Sequence, residues 1–335
     1  MVTLKVLLTV LQRLVAMFLV VSAFICALLG AVPTKANDIV FAVTGLLSSE
    51  PLSGIALIVA ELRFPRLILA MLTGGGLAIC GLVLQKLTRN PLADPFLFGL
   101  SAGASSGAVA CIVLNITVIG VFSLPAFAFC GAMLAQCMLH TLTRQNQWHP
   151  ERVVLAGLIV NSLFSAITGF LIFSGDQRTA QSVLFWLMGG LGLAKWSVIP
   201  IITLVVVICY SFIHSQQRNI DRLTTGDELA ASMGVNVEQT RKGMFLVVGL
   251  LTATLVAWTG TIGFVGLIIP NVVNRLGIYR IQHQLPICFL CGAIFLVWAD
   301  AGARVLLQPQ ELPISMITSA VGAFVCLILI VRRKL

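Results

Sequence analysis

Residues 14–34 read LVAMFLVVSAFICALLGAVPT, twenty-one positions without a single Asp, Glu, Lys or Arg. A helix rises about 1.5 Å per residue, so roughly 20 apolar residues cross the hydrocarbon core of a bilayer. The stretches 67–85, 153–175, 196–217, 281–299 and 312–331 are also free of charge and similar in length. Two longer charge-free runs, 95–143 and 243–274, each have room for a folded pair. Six single spans and two pairs predict about ten membrane-spanning helices. The polar–apolar alternation of a transmembrane barrel is missing, and helices satisfy their backbone within each segment, as hydrocarbon demands. The expected fold class is an all-α integral membrane protein.

Composition agrees. Of 335 residues, 59% are hydrophobic and 10% charged, where a soluble domain carries about a quarter charged. The mean hydropathy is +1.03. No polar segment is long enough for a second globular unit, so residues 1–335 are expected to form one transmembrane domain. The net charge of +9 suggests an anionic partner, but topology accounts for it first. With the N-terminus inside and ten crossings, fifteen of the 21 Lys and Arg residues fall on inside segments and six outside. That is the positive-inside bias. It places both termini in the cytoplasm and needs no nucleic acid. The first apolar stretch has no A-x-A-like cleavage site and is read as a retained span. Most of the nine cysteines lie within apolar stretches as small hydrophobes. Cys288 and Cys291 form C-x-x-C inside an apolar helix with no second pair, which favours packing over redox or zinc chemistry.

Along the chain, a first helix over 10–32 ends near Pro33. An outside segment at 33–62 carries turn-prone Ser48, Ser49, Pro51 and Gly54, and a second helix runs from Pro65 to Lys86. An inside turn spans Thr88 to Pro95. The pair in 95–143 breaks around Asn115 to Pro125, and an inside loop at 144–152 contains His149. Val183–Leu187 is too short to span and reads as a helix lying at the outer mouth. Gly260, Gly263, Gly266 and Pro270 predict a tight turn and a half-length helix in 243–280.

Catalytic signatures are sparse. No Gly-Lys dipeptide occurs, so there is no phosphate-cradling P-loop, and no H-E-x-x-H. His140, His149, His214 and His283 fall at helix ends or in loops, unclustered for a metal. Asp300 is the one acid deep in an apolar helix, and Arg304 lies one turn later, spaced for an i,i+4 ion pair. Gly99, Gly103 and Gly107 make consecutive G-x-x-x-G units and Gly74, Gly75 and Gly76 fall in the second helix, suiting close backbone approach.

The inside loop 216–242 is the largest soluble piece. Gly226-Asp-Glu-Leu-Ala-Ala-Ser-Met-Gly234 predicts a short helix from about Asp227 to Met233. Thr225 or Gly226 stands near its N-cap, acids fill its first turn, and Gly234 stops it. Leu229, Ala230 and Met233 make a small apolar face, suited either to a partner's groove or to the membrane surface. On the outside, Arg63, Arg66 and Arg304 lie where the positive-inside bias depletes basic residues. They either snorkel to lipid phosphates or pair with carboxylates of an outside partner, with Glu61 and Asp300 as internal competitors.

Six blocks of this sequence resemble the permeases of bacterial ABC importers for iron–siderophore, haem and vitamin B12. They are Arg63-Phe-Pro-Arg66, Arg89-Asn-Pro-Leu-Ala-Asp-Pro-Phe-Leu-Phe-Gly-Leu-Ser-Ala-Gly-Ala104, Gly226–Val235, Gly263–Pro270, Ala299–Arg304 and Glu311–Pro313, in the family's order over almost the whole chain. The resemblance implies a ten-helix, BtuC-like type II importer bundle in a bacterial inner membrane, as a homodimer or beside a similar permease. It implies two ATPase subunits beneath, holding ATP and Mg2+, and a periplasmic or lipoprotein substrate-binding protein above. No cofactor or metal is expected on this chain. By the same resemblance Gly226, Asp227, Glu228, Leu229, Ala230, Met233 and Gly234 form the ATPase-coupling helix, and Arg63, Arg66 and Arg304 dock the binding protein. Asn161, Ser162 and Thr168 line the pathway. One departure is Asn271, where many members carry His after Ile-Ile-Pro. The expected function is a non-catalytic permease for an iron chelate such as a siderophore or haem. Vitamin B12 or molybdate and other oxyanions are the alternatives within the family. An ion-coupled secondary transporter, with Asp300 as its coupling acid, is the rival of another class, and a membrane-embedded enzyme is the third.

Overall fold

A computed structural model describes residues 2–30, 34–48, 52, 54–144, 150–308 and 310–331. Pro33, Ser49, Pro51 and His149, which figured in expected turns and loops, lie outside the described residues. Among those described, all regular structure is helical. Helices α1 (Val2–Leu28), α2 (Ala36–Ser48) and α3 (Gly54–Ile58) lead through a π-helical turn at Val59–Arg63 into α4 (Phe64–Thr88). A 3-10 turn at Pro95–Phe98 precedes α5 (Leu100–Val113), and another at Gly120–Phe122 precedes α6 (Ser123–Arg144). Then come α7 (Pro150–Ser174), α8 (Gln177–Leu187), α9 (Ile199–Ser215), α10 (Gln217–Leu223) and α11 (Asp227–Ser232). The last four are α12 (Val237–Thr259), α13 (Val265–Arg275), α14 (Ile281–Val305) and α15 (Ile314–Val331).

Every expected span coincides with a helix, but not every helix is a full span. Among the described residues, six runs are long and apolar enough to cross a membrane, and a seventh is added if α9 and α10, bent by 60°, count as one. The expected third and eighth spans, α5 and α13, have 14 and 11 residues. Their ends explain their length. Gly99 (φ +81°) and Asn115 (φ +51°) bracket α5 in left-handed backbone, and Phe264 (φ +69°) and Gly277 (φ +77°) bracket α13. Short helices at membrane depth need protein around their open ends. The segment 33–62, whose turn-prone residues were noted from sequence, holds α2 and α3.

The architecture is built around α4, 19 of whose 25 residues are buried. Its three consecutive glycines, Gly74 to Gly76, face different neighbours. Gly74 lies against the Gly292 carbonyl of α14, Gly75 against Phe289 of α14, and Gly76 against Leu255 of α12. One turn further on, Gly81 meets the Gly266 carbonyl of α13 so closely that any β-carbon would collide with backbone. Association in lipid rests on such contact, because lipid tails supply no hydrophobic drive between helices. Gly103 of α5 and Gly131 of α6 repeat the arrangement: a β-carbon at Gly103 would stand 2.5 Å from the Gly131 oxygen. Gly99 is not part of that stripe. It is the left-handed residue that ends the 3-10 turn and packs on Val160 of α7.

Candidate functional site

Two ionic clusters sit at opposite ends of α4. At its C-terminal end, Gly226 adopts φ +124° and caps α11, and Gly234 (φ +81°) stops it. These are the boundaries expected from sequence. Asp227, in the first turn, is gripped by Arg241 of α12, whose Nη1 and Nη2 donate to its two oxygens at 2.7 Å each. Arg89, left-handed at the C-cap of α4, donates to the same carboxylate and also to the Leu223 carbonyl at 3.1 Å. Partial burial would raise the Asp227 carboxyl, but the bonds and charge of Arg241, joined by Arg89, outweigh it and hold it below its usual range. The α11 segment is thus bolted to α4 and α12 together. Glu228 is exposed, Leu229 is 59% exposed and Met233 43% exposed, whereas Ala230 is fully buried. Ala230 therefore does not belong to the presented face. It turns inward, where its amide and carbonyl close the turns to Gly226 and Val235.

Close by, Asp94 is 5% exposed, accepts from the Phe96 amide at 2.9 Å and caps the 3-10 turn. Burial pushes its carboxyl up to about 6, against the pull of the Phe96 and Leu267 amides. A carboxyl raised in the folded state favours folding at low pH, and that contribution is lost as pH rises through about 6. Asp94→Asn, which keeps the acceptor, is expected to melt at a higher temperature than the parent at pH 8 and to close the gap at pH 5. Thermal unfolding in detergent at the two pH values checks this. Asn271 donates to the Pro91 carbonyl at 2.8 Å and the Leu267 carbonyl at 2.7 Å. It stitches α13 to the Arg89–Asp94 turn.

At the other end of α4 the three arginines are not presented as expected. Arg63 is 7% exposed and Arg304 6%. Arg63 donates to the Ala27 carbonyl (2.6 Å) and Thr34 Oγ1 (3.0 Å), and Arg304 to the Leu29 (2.6 Å) and Cys26 (3.1 Å) carbonyls. The last carbonyls of α1 have no intrahelical partners and carry the negative end of its dipole, so they draw both guanidiniums inward. Arg304 also makes the expected i,i+4 bond to Asp300, at 3.0 Å. Arg66 takes the other Asp300 oxygen at 2.9 Å and forks onto Glu311 at 2.9 and 3.1 Å. Asp300 is fully buried, with both oxygens in use. Arg63 and Arg304 are therefore internal braces here and are not the exposed side chains that the docking role expected of the trio calls for. Arg66, with 16% of its side chain exposed, stays at the surface.

Beside Arg66 lies a cavity of about 440 Å³ bounded by Trp186, Trp258, Phe185 and the Gly189–Gly192 turn. Its floor is knitted from three loops. The Gly190 amide bonds the Thr259 carbonyl at 2.8 Å, the Ile314 amide bonds the Gly189 carbonyl at 3.2 Å, and Ser315 Oγ bonds the Thr261 carbonyl. The α8 helix borders this cavity, close to the mouth position expected for Val183–Leu187. On α7, Asn161 is half-buried and Ser162 exposed, but Thr168 is 8% exposed and donates to the Phe164 carbonyl at 2.8 Å. The Thr168 hydroxyl is thus spent on its own helix, unlike the exposed Ser162. Cys288 is buried and Cys291 half-buried, both free thiols on α14. Sequence reasoning missed Arg89 and Arg241 as the holders of Asp227, and Asp94. Arg89 and Asp94 lie in one family-like block, which was a usable signal, whereas nothing local marked Arg241.

Comparisons with known proteins bear on this geometry. Residues 18–332 match the FecCD transport family. The hemin transport system permease protein HmuU of Yersinia pestis is 34% identical over 82% of this chain and 83% of its own. The Fe(3+) dicitrate transport system permease protein FecD of Escherichia coli K12 is 34% identical over 83% and 86%. The cobalamin import system permease protein BtuC of Halobacterium salinarum is 38% identical over 79% and 71%. A solved structure of an inward-facing metal-chelate type ABC transporter superposes with a TM-score of 0.84 at 27% identity, covering 96% of this chain and 99% of that one. With the match spanning nearly all of its helices, the chain belongs to the FecCD transport family.

Proposed function

We propose that this chain is the permease subunit of a binding-protein-dependent ABC importer that moves an iron chelate, a siderophore or haem, across the bacterial inner membrane. The observation that carries the reading is the α11 segment: a capped helix fixed through Asp227 to both α4 and α12, holding Glu228, Leu229 and Met233 outward. Such a helix transmits a push without yielding. Two ATPase subunits, with their ATP and Mg2+, push on it from the cytoplasm, and the bundle rocks between openings. In this reading both termini are cytoplasmic and the short helices α5, α13 and α15 complete ten spans. Two copies, or one copy and a similar permease, enclose the route beside Asn161 and Ser162, and a substrate-binding protein docks on the Arg66 end. The names of relatives support haem, ferric chelates and cobalamin about equally, so vitamin B12 remains the alternative cargo, with oxyanions behind it. The ion-coupled reading loses its coupling acid, since both Asp300 oxygens are held by arginines.

The test replaces Leu229 and Met233 together by Asp in the reconstituted transporter. Cargo uptake and co-purification of the ATPase are expected to fall at least tenfold, a loss of roughly 1.4 kcal/mol or more, while the melting temperature of the isolated permease holds. Full coupling in that variant would remove α11 from the interface and the proposal with it.

A further inference from the structure

The end of the bundle that carries α11 also holds a cavity of about 590 Å³ between the last turns of α4, the Arg89–Leu92 turn, α13 and α15. Its wall divides by chemistry. Lys86, Arg89 and Arg275 line it with positive charge, and none of its twelve lining residues is acidic. Leu82, Leu267 and Cys326 form an apolar side. Carboxylates reach the basic groups from behind: Asp221 lies 3.9 Å from Lys86 Nζ, and Asp227 holds Arg89. Lys86 also donates to the Tyr279 carbonyl at 2.6 Å, which fixes its ammonium at the cavity wall. Gln85 adds a second kind of demand. It is 7% exposed and spends its Nε2 on the Gly266 (3.1 Å) and Leu267 (3.3 Å) carbonyls, leaving its Oε1 buried with no hydrogen-bond partner among the described residues. An occupant that satisfies this wall has an anion for the basic residues, a hydroxyl donor for Gln85 and an apolar part for the leucines.

We propose that this cavity binds an anionic glycerophospholipid with a hydroxylated headgroup, phosphatidylglycerol being the simplest. The phosphodiester sits among Lys86, Arg89 and Arg275, a headgroup hydroxyl donates to Gln85 Oε1, and an acyl chain follows Leu82, Leu267 and Cys326. A free phosphate ion would leave the apolar side without an occupant. An acidic peptide would meet a wall continuous with α15, whose exposed Val321, Phe324 and Leu327 (41%, 66% and 60%) belong against acyl chains. Basic pockets between spans at a membrane surface suit anionic headgroups for this reason. The lipid would clamp α15 to α4 and α13. The inference rests on the chain spanning a bilayer and not on which partner drives transport.

The full chain, purified in neutral detergent, is titrated with phosphatidylglycerol, with phosphatidylcholine and, separately, with inorganic phosphate, and retained lipid is counted by native mass spectrometry. Phosphatidylglycerol is expected to be retained in preference to phosphatidylcholine. Lys86→Gln with Arg275→Gln is expected to weaken that retention about 30-fold, the share of two basic side chains. Arg275→Gln alone, at an exposed rim position, covers the case in which the double variant fails to fold, and it should weaken retention by a smaller factor. Cys326→Phe, which leaves the charge intact, should also weaken it by filling the acyl seat. Undiminished retention in Arg275→Gln, equal retention of the two lipids, or displacement of the lipid by equimolar inorganic phosphate would each overturn the site. So would protection of an Arg275→Cys label by the ATPase subunit and not by phosphatidylglycerol.

Discussion

Asp300→Ala is expected to destabilise the folded permease by about 3–5 kcal/mol, the cost of stripping a buried ion pair of one partner. The carboxylate is fully buried and answers two guanidiniums, Arg66 from α4 and Arg304 from its own helix. Its removal leaves Arg304, 6% exposed, with backbone carbonyls alone, and it leaves Arg66 with Glu311, which is 51% exposed. Thermal unfolding in detergent should show a large loss for Asp300→Ala and a smaller one for Asp300→Asn, which still accepts. A triple change of Asp300, Arg66 and Arg304 to Met should recover much of the loss, since an apolar replacement of a whole buried ionic group is often neutral or better. The same variants separate the two transport mechanisms. If Asp300→Asn, stable enough to reconstitute, abolished an ion current while uptake needed no ATPase, the importer reading would fail.

The second large effect is placed at Asp227. Arg241 is 1% exposed and takes both carboxylate oxygens in a bidentate fork, so Asp227→Ala leaves a buried guanidinium without its carboxylate. Because Asp227 itself is one-third exposed, the cost is discounted from the fully buried case to about 2–3 kcal/mol. The functional loss should exceed what that destabilisation explains. With α11 released from α4 and α12, ATP hydrolysis in the reconstituted transporter is expected to continue while uptake falls. The ratio of cargo moved to ATP hydrolysed is the decisive measurement, and an unchanged ratio would mean that the clamp carries no force. The carboxyl is held low, so its contribution is present at neutral pH and disappears only as pH falls below the usual carboxylate range.

Local features of the site were legible in the sequence and distant pairings were not. Gly226 and Gly234 bounded α11 because a left-handed residue is a local demand that glycine meets. The Asp300–Arg304 pair was legible for the same reason, being one helical turn apart. Arg66 and Asp300 are 234 residues apart, and Arg89 and Asp227 are 138 apart, so nothing in either neighbourhood named its partner. The burial of Arg63 and Arg304 was hidden for the same reason. The open carbonyls at the end of α1 that hold them were invisible until its path was known. Helix existence followed from hydropathy, which each segment carries alone. Helix length at α5 and α13 did not, because it depends on neighbours that shield the broken ends.

The placement of α4 has a consequence for biosynthesis. Its glycine-lined flank is completed by Leu255, Gly266, Phe289 and Gly292, residues that leave the ribosome roughly 170 to 220 positions later. At about 5–20 residues per second the helix waits on the order of ten seconds or more before its final neighbours exist. Its own hydropathy of 2.3 allows it to rest in lipid during that interval, though its narrow flank is poorly matched to acyl chains. Translation that stops short of α14 therefore strands a helix built to be enclosed, and such fragments are expected to be ready substrates for membrane proteases.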